Sequence, residues 1–304
     1  MSRRCCTLLI VLLLCCPRCY ARDLVVDNLR GSDIQNDRGL VADAASYGPY
    51  RSIGRALLAV RPGDRIVLTA NPEPYRECIS LVGANHSGTP SRPFEILGNG
   101  AILDGATIPE AGAWQHLGRG IWELIHTPPG MGLVIHQSKV LPKIDLSANR
   151  DLNRLEPGTW TRHGGAIQIR LDETQSPDRL PLEVTWQTTG ITLYDVQHVV
   201  IRDLVVRGYR IDGINAHDRC EGITLVNVSS RHNGRSGITV AGASRVAIGA
   251  TLSEQNGESQ LRVEGRGIAR LGNVDFPSGP GKDIALFDGG KSVPLETGNG
   301  AAGR

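Results

Sequence analysis

The C-terminal half of the chain repeats itself at a period of 23 to 24 residues, and this repeat constrains the fold more than any other feature. Four successive segments carry apolar residues at equal positions. The aligned sets are Val199 with Ile223 and Val246, Ile201 with Leu225 and Ile248, Leu204 with Val228, Gly213 with Gly237, Ile214 with Ile238, Leu261 and Ile284, and Val240 with Val263 and Leu286.

The repeated unit contains short β-type runs and no helical segment. This excludes most helical solenoids, and the leucine-asparagine pattern of leucine-rich repeats is missing. A parallel β-helix remains, in which each coil supplies about three short strands and stacks on the next at about 4.8 Å. The predicted fold class is therefore all-β, a parallel β-helix solenoid.

One amphipathic helix is predicted over residues 51–61. Ile53, Ala56, Leu57 and Val60 have the i, i+3, i+4, i+7 spacing of an apolar helix face. An open solenoid end exposes apolar surface and strand edges, and we expect this helix to cap the N-terminal end.

The first 21 residues have the pattern of a cleavable secretory signal. Two arginines precede an apolar run from Leu8 to Leu14, and Cys19 and Ala21 provide small residues at a cleavage site. The run is far shorter than the roughly 20 residues needed to span a bilayer, so no stable membrane insertion is expected. The predicted location is secreted or periplasmic.

Loss of residues 1–21 leaves 30 basic against 31 acidic side chains, which argues against a nucleic-acid partner. It also leaves only Cys78 and Cys220. A disulfide between them stays open, because the sequence does not give their distance; two separate buried cysteines are the favoured interpretation.

Three stretches carry a resemblance to right-handed parallel β-helix proteins of the pectin-lyase-like superfamily. The segment from Tyr50 to Leu81, with "GTPSRPFEILGNGAILDG" after it, resembles the N-terminal helix and first coils of chondroitinase B-like and alginate-lyase-like proteins. "WQHLGRGIWEL", "GLVIHQSKVLPKI" and "LEPGTWTRHGGAIQIRL" resemble a β-rich insertion of exported carbohydrate-active members. The third stretch is the repeat, "GITLYDVQHVVIRDLVVRGYRIDGI".

The resemblance implies one β-helix domain over residues 22–304, with a β-rich insertion at 107–187 and a flexible tail at 291–304. It implies a polysaccharide partner and a monomeric, exported protein that degrades polysaccharide as a lyase or a glycoside hydrolase. Because this superfamily also includes proteins without known catalysis, a non-catalytic structural or adhesion module is the alternative.

Residues at equal positions of a β-helix stack, so each polar candidate can be compared with its neighbour one coil away. Asp203 aligns with Asn227 at a bend, and Asn233-Gly234 aligns with Asn256-Gly257 at a turn, which indicates structural roles. At the same turn the coil 206–218 has Tyr209-Arg210 instead, and Asp212 replaces a serine. Positions that break a repeat are where function is expected.

The predicted site is therefore centred on this coil. The candidate catalytic residues are Asp212, Arg210 and Tyr209, and the candidate substrate-binding residues are Arg207, His217, His232 and Arg235. A hydrolase would need a second carboxylate about 5 to 10 Å from Asp212, with Asp195 and Glu183 as candidates. A lyase would need a base and cations, which the arginines and His232 could supply. No cofactor and no metal are predicted, with calcium left open as an alternative.

Overall fold

The computed structural model describes residues 21–34, 48–146, 151–277 and 279–295. Helix α1 spans Ile53–Leu57, and three 3-10 turns span Ala84–His86, Leu152–Arg154 and Pro177–Arg179. The strands, in chain order, are β1 (Asp23–Val26), β2 (Arg65–Leu68), β3 (Ile79–Val82), β4 (Phe94–Leu97), β5 (Ile102–Asp104), β6 (Ala106–Thr107), β7 (Trp114–Gly118), β8 (Ile121–Leu124), β9 (Val134–His136), β10 (Lys139–Val140), β11 (Trp160–His163), β12 (Ala166–Arg170), β13 (Leu182–Thr185), β14 (Ile191–Tyr194), β15 (Val199–Arg207), β16 (Asp212–His217), β17 (Ile223–Arg231), β18 (Ser236–Val240), β19 (Arg245–Glu254), β20 (Ser259–Val263), β21 (Ile268–Asp275), β22 (Lys282–Leu286) and β23 (Lys291–Pro294).

Two parallel sheets form the walls of a right-handed parallel β-helix. The nine-stranded sheet has the order β1-β2-β4-β15-β17-β19-β21-β23, with β5 also beside β15, and the six-stranded sheet has the order β3-β14-β16-β18-β20-β22. Between them lies one apolar core of stacked aliphatic side chains. The fold class predicted from the repeat is therefore confirmed.

The strand register confirms the predicted alignment of the repeats. Ile201 pairs with Leu225, and Leu225 with Ile248, so the period is 24 and then 23 residues. On the other sheet the pairing continues from Ile214 to Ile238 and on to Ile284 in β22. Equal positions repeat because each coil has to return its apolar residues to the same core.

Each long strand of the nine-stranded sheet bends at one residue in the left-handed region. Asp203 and Asn227 have φ angles of 57° and 51°, and Asn227 Nδ2 donates a 2.7 Å hydrogen bond to Asp203 Oδ1. Asp and Asn adopt this conformation more readily than other non-glycine residues. The structural role predicted for this pair is confirmed.

A ladder of buried amides supports the turn that follows. The main-chain N–H of Asn233 donates to Asn256 Oδ1 at 2.9 Å, and the N–H of Tyr209 donates to Asn233 Oδ1 at 3.0 Å. Both asparagine side chains are fully buried. The Asn-Gly pairs are therefore turn residues, as predicted, and Tyr209 lies at the end of their ladder.

The β-rich insertion forms two antiparallel four-stranded sheets between the coil of β3 to β5 and the coil that begins at β14. One sheet has the order β10-β9-β13-β6 and the other β11-β12-β8-β7. Trp114 and Trp160 belong to a separate apolar cluster there. The insertion contacts the solenoid at the Asn-Gly turns, where a side chain on Gly234 would collide with the main-chain oxygen of Met131.

The two ends of the solenoid differ in detail from the sequence predictions. Helix α1 has five residues, fewer than the predicted segment 51–61, because the chain from Leu58 onwards forms a turn before Pro62. It buries Ile53, Ala56 and Leu57 against β1, β2 and β3. Its function as a cap stays a prediction. At the other end, residues 291–294 form β23 and pair with β21, which corrects the predicted start of the flexible tail.

The predicted signal segment lies outside the described residues except for residue 21. Across the part of the chain that the structure describes, no helix is both long and apolar enough to cross a membrane.

Cys78 and Cys220 are both free thiols, which confirms that they are separate. Cys220 is buried and Cys78 is exposed, so the prediction of two buried cysteines was wrong for Cys78.

Candidate functional site

The seven predicted site residues do not form one cluster. Asp212 meets Arg235 on the outward side of the six-stranded sheet, and Arg207 meets His232 around the corner on the nine-stranded sheet. Arg210 lies between them against the insertion, where its Nε donates to the Trp186 carbonyl at 3.4 Å. His217 is exposed at the far end of β16.

Tyr209 is a core residue and not a catalytic one. Its side chain is 0% exposed, and its hydroxyl donates to the carbonyl of Glu77. Burial raises the pKa of the phenol far above its usual value, so it stays protonated. The prediction that Tyr209 acts in the site is corrected: the coil needs a large side chain here to fill the space beside Gly105 and Gly190.

Asp212 and Arg235 form a bidentate ion pair. Nε of Arg235 donates to Asp212 Oδ1 at 2.9 Å, and Nη2 donates to Oδ2 at 2.6 Å. Asn215 Nδ2 donates a third hydrogen bond to Oδ2 at 2.9 Å. Asp212 is 0% exposed while Arg235 keeps 21% of its side chain accessible. The arginine therefore faces solvent with its geometry set by the buried carboxylate.

This arrangement corrects the prediction of a direct catalytic role for Asp212. A fully buried carboxylate with both oxygens engaged positions Arg235 and has no surface left for a ligand. The hydrogen bond that Arg235 donates to Asp212 raises the pKa of Arg235, and the charges of Glu264 and Glu258 raise it further. The candidate partner Asp195 is also excluded: in strand register it lies six residues along from Asp212, about 20 Å away.

Glu258, Arg262 and Glu264 complete a cluster that the sequence comparison missed. Arg262 Nε donates to Glu264 Oε2 at 2.7 Å, and its Nη1 lies 3.8 Å from Glu258 Oε2. We call Asp212, Asn215, Arg235, Glu258, Arg262 and Glu264 the Asp212 cluster. The register argument failed here because Glu258 and Glu264 lie at different positions of one coil and only their side chains converge on Arg262.

The outward surface of the six-stranded sheet continues this cluster as lines of stacked side chains. A middle line follows equal positions of successive strands, namely Ser80, Thr192, Asn215, Thr239 and Arg262. Within it, Asn215 Oδ1 and Thr239 Oγ1 are buried without a hydrogen-bond partner among the described residues. Because both atoms are shielded from solvent, a buried water is the partner that can satisfy them.

Exposed rings lie along the neighbouring line of the same surface. Tyr194 is 46% exposed, and its ring centroid lies 6.0 Å from that of His217 on the next coil. Further along the line, Phe287 packs beneath the Arg262 guanidinium at 4.1 Å. We call this surface, with its middle line and its rings, the polar face. It combines flat apolar rings with donors and acceptors at one-coil spacing.

A cleft of about 400 Å³ opens beside the polar face, between the insertion and the Asn-Gly turns of the solenoid. Its walls are mostly apolar, with Met131 and Leu133 from the insertion. Its charged groups are Lys143 and Glu258, so the cleft and the Asp212 cluster share Glu258. An apolar recess with a few convergent polar groups is the usual form of a ligand site.

In the described parts of the chain, no group of three or more His, Cys, Asp or Glu side chains converges as metal ligands.

No protein-family model matches the chain. No curated protein matches it either.

The fold is similar to several solved structures at low sequence identity. A glycoside hydrolase aligns with a TM-score of 0.56 and 11% identity, over 86% of this chain and 74% of that one. XylC in complex with xylose aligns with a TM-score of 0.44 and 10% identity, over 90% and 70%. Pectate lyase Pel9A aligns with a TM-score of 0.42 and 12% identity, over 82% and 52%. At these identities the likeness concerns the fold alone.

Proposed function

We propose that this β-helix protein binds a polysaccharide along the polar face and cleaves it hydrolytically at the Asp212 cluster. The observation that carries the proposal is the stacking of donors, acceptors and exposed rings at one-coil spacing beside a cleft that shares Glu258 with the Asp212 cluster. A surface with a regular spacing suits a ligand that is itself a regular chain. The glycoside hydrolase that shares the fold is consistent with this class of ligand.

The chemistry of hydrolysis needs two carboxyl groups. One donates a proton to the oxygen of the departing sugar, and the other takes a proton from the attacking water or attacks the sugar itself. Glu258 and Glu264 approach one guanidinium, that of Arg262, so they lie within about 10 Å of each other, which includes the separations of about 5 to 9.5 Å that these reactions use.

Each member of the cluster then has a distinct task. Glu264, whose carboxylate is held in place by the hydrogen bond from Arg262, is assigned the role of base or nucleophile. Glu258, at the cleft and 46% exposed, suits the proton donor. Arg235, positioned by Asp212, offers hydrogen bonds to sugar oxygens. A lyase mechanism has less support, because the cluster contains no histidine or lysine to act as the base.

The proposal is tested with a panel of neutral and acidic polysaccharides. Products are read by reducing ends, which any cleavage generates, and by ultraviolet absorbance, which only the unsaturated product of a lyase gives. We expect reducing ends without absorbance. Glu264→Gln and Glu258→Gln should each lower the rate by about 10²- to 10⁴-fold, the usual contribution of a general acid or base.

Glu221→Gln is the matched control, because Glu221 is exposed on another side of the solenoid and lies outside the Asp212 cluster. It should leave the rate unchanged. Absorbance at the level of the reducing ends would overturn hydrolysis in favour of elimination. Polysaccharide binding without any cleavage would favour the non-catalytic module. Export to the periplasm or the extracellular space, and a monomeric state, are part of the same proposal.

A further inference from the structure

A second charged surface lies around the corner from the polar face, on the outward side of the nine-stranded sheet. Asp104, Arg207, Arg231 and Glu254 occupy equal positions of β5, β15, β17 and β19. We call these four residues the arginine row. The row places two guanidinium groups on neighbouring coils between two carboxylates, one at each end.

Arg207 is firmly held by the first of these carboxylates. Its Nε and Nη2 donate to Asp104 Oδ2 at 3.1 and 2.9 Å, and Asp104 is 1% exposed. Arg76 lies on the other side of the same carboxylate, with Nη1 4.0 Å from Oδ2, and it donates to the carbonyl of Ala106. One buried acid thus faces two guanidinium groups.

Arg231 has no comparable partner. Its nearest carboxylate oxygen, Oε1 of Glu254, is 3.9 Å from Nη1, and its buried Nε has no hydrogen-bond acceptor among the described residues. Its neighbour in the sheet is Arg207, at a strand spacing of about 4.8 Å. Like charges directly opposite each other on adjacent strands are destabilising, and so is a buried donor without an acceptor.

The turn between β9 and β10 covers one side of the row. The His232 imidazole, next to Arg231 in the chain, is 4% exposed and hydrogen-bonds the main chain of Ser138 in that turn. Burial, with Arg231 and Arg207 nearby, lowers the pKa of His232 to about 4. The imidazole is therefore neutral at neutral pH, and the positive charge of this surface comes from Arg76, Arg207 and Arg231.

We infer that the arginine row binds a tetrahedral oxyanion, a sulfate or a phosphate group, between Arg207 and Arg231. Such a group accepts from several directions, so it can bridge the solvent-accessible ends of the two guanidinium groups, and Nη1 of Arg207 makes no hydrogen bond among the described residues. Guanidinium groups match oxyanions of this kind through paired hydrogen bonds. The anion would also separate two like charges, which gives the site a physical reason to bind it.

The site is open to a ligand attached to a larger molecule. Arg231 keeps 32% of its side chain accessible and Arg207 keeps 23%. The sulfate could therefore be a free ion or an ester on a polysaccharide. The inference does not depend on cleavage at the Asp212 cluster, because the insertion lies over the corner between the two surfaces.

The test measures binding of inorganic sulfate and inorganic phosphate by calorimetry at constant ionic strength, with chloride as the reference anion. We expect saturable binding of the tetrahedral ions, weakened at least tenfold by Arg231→Gln. Arg270→Gln is the matched control, since Arg270 is an exposed arginine on β21 outside the row, and it should bind as the unaltered protein does. Equal binding by Arg231→Gln, or no binding above that of chloride, would overturn the inference.

Two further measurements separate loss of the site from loss of the fold and identify the source of the bound group. Arg231→Lys keeps the charge and loses the paired donors, so it should bind more weakly than the unaltered protein and confirm the geometry if Arg231→Gln does not fold. Dextran sulfate compared with dextran then distinguishes the sources of the group. Binding of dextran sulfate that inorganic sulfate displaces indicates an ester, and binding of inorganic sulfate alone indicates a free ion.

Discussion

His232 shows how one buried residue links the stability of the coil to pH. It lies in the left-handed region with φ of 57°, and its pKa is lowered from 6.5 to about 4, mainly by burial and also by Arg231 and Arg207. Asp104 acts in the opposite direction. Between these two pKa values the imidazole is protonated in the unfolded chain and neutral in the folded chain. The free energy of unfolding therefore rises with pH in this window.

The first prediction concerns this window. The contribution of His232 to the free energy of unfolding is fully present above about pH 6.5 and falls by at most about 1.4 kcal/mol per unit as the pH drops towards 4. His232→Asn removes the titration, and asparagine tolerates the left-handed backbone. Urea unfolding at pH 7 and pH 5 should therefore show a smaller loss of stability for the variant than for the unaltered protein.

His217→Asn is the control for that experiment, because His217 is exposed at the end of β16. Its pH dependence should match that of the unaltered protein. If His232→Asn loses as much stability between pH 7 and pH 5 as the unaltered protein does, His232 is not the buried neutral group described here.

At the level of elements, the turn between the two sheets is built on the asparagine ladder. Asn256 Oδ1 accepts from the main-chain N–H of Asn233 at 2.9 Å and from its Nδ2 at 3.0 Å, all in a fully buried environment. Water cannot replace these bonds without opening the core. The ladder therefore links neighbouring coils by buried hydrogen bonds in addition to the strand pairing beside it.

The second prediction follows from this coupling. Asn256→Ala leaves the buried main-chain N–H of Asn233 without its acceptor and removes one of the two acceptors of Asn233 Nδ2, which keeps Ser230 Oγ. It should lower the free energy of unfolding by about 2 to 4 kcal/mol. Asn227→Gly is the control: it removes one exposed hydrogen bond to Asp203, and glycine accepts the φ of 51°. Its cost should stay under about 1 kcal/mol in urea unfolding. Equal losses for the two variants would contradict a structural role of the ladder.

Across the whole molecule, a coil inside the solenoid packs against a neighbouring coil on each side, and a coil at the end packs against one. Leu261 and Ile284 occupy the same register on β20 and β22, one coil apart. Leu261 is fully buried, whereas Ile284 is only partly buried because β22 is the edge strand of its sheet among the described residues. In stacked repeats, stability is approximately the sum of each coil and its contacts with its neighbours.

The third prediction uses this pair as its own control. Leu261→Ala should cost about 2 to 5 kcal/mol in urea unfolding, the range for buried aliphatic truncations. Ile284→Ala, with a similar loss of apolar atoms, should cost less than half as much. Amide exchange should likewise be faster in β22 than in β20. A larger cost for Ile284→Ala would mean that the last coil packs against something outside the described residues.

The architecture followed from the sequence because stacking is periodic. Every coil must return apolar residues to one core, so the spacing of Ile201, Leu225 and Ile248 along the chain predicts the strand register. The bend residues Asp203 and Asn227 mark the same register, because aspartate and asparagine tolerate a positive φ. For the same reason the Asn-Gly turns were predictable. Each of these features depends on a residue's own coil and on the equivalent position one coil away.

The site depended on tertiary structure, because side chains at different positions of the repeat meet there. Register comparison separated Glu258 from Glu264, yet both reach Arg262. It selected Tyr209 and Asp212 as departures from the pattern, but burial decides their roles: one fills the core, and the other holds Arg235. The repeating sequence determined the fold by itself, whereas accessibility and the convergence of long side chains, which no single position encodes, were decided only when the coils and the insertion packed together.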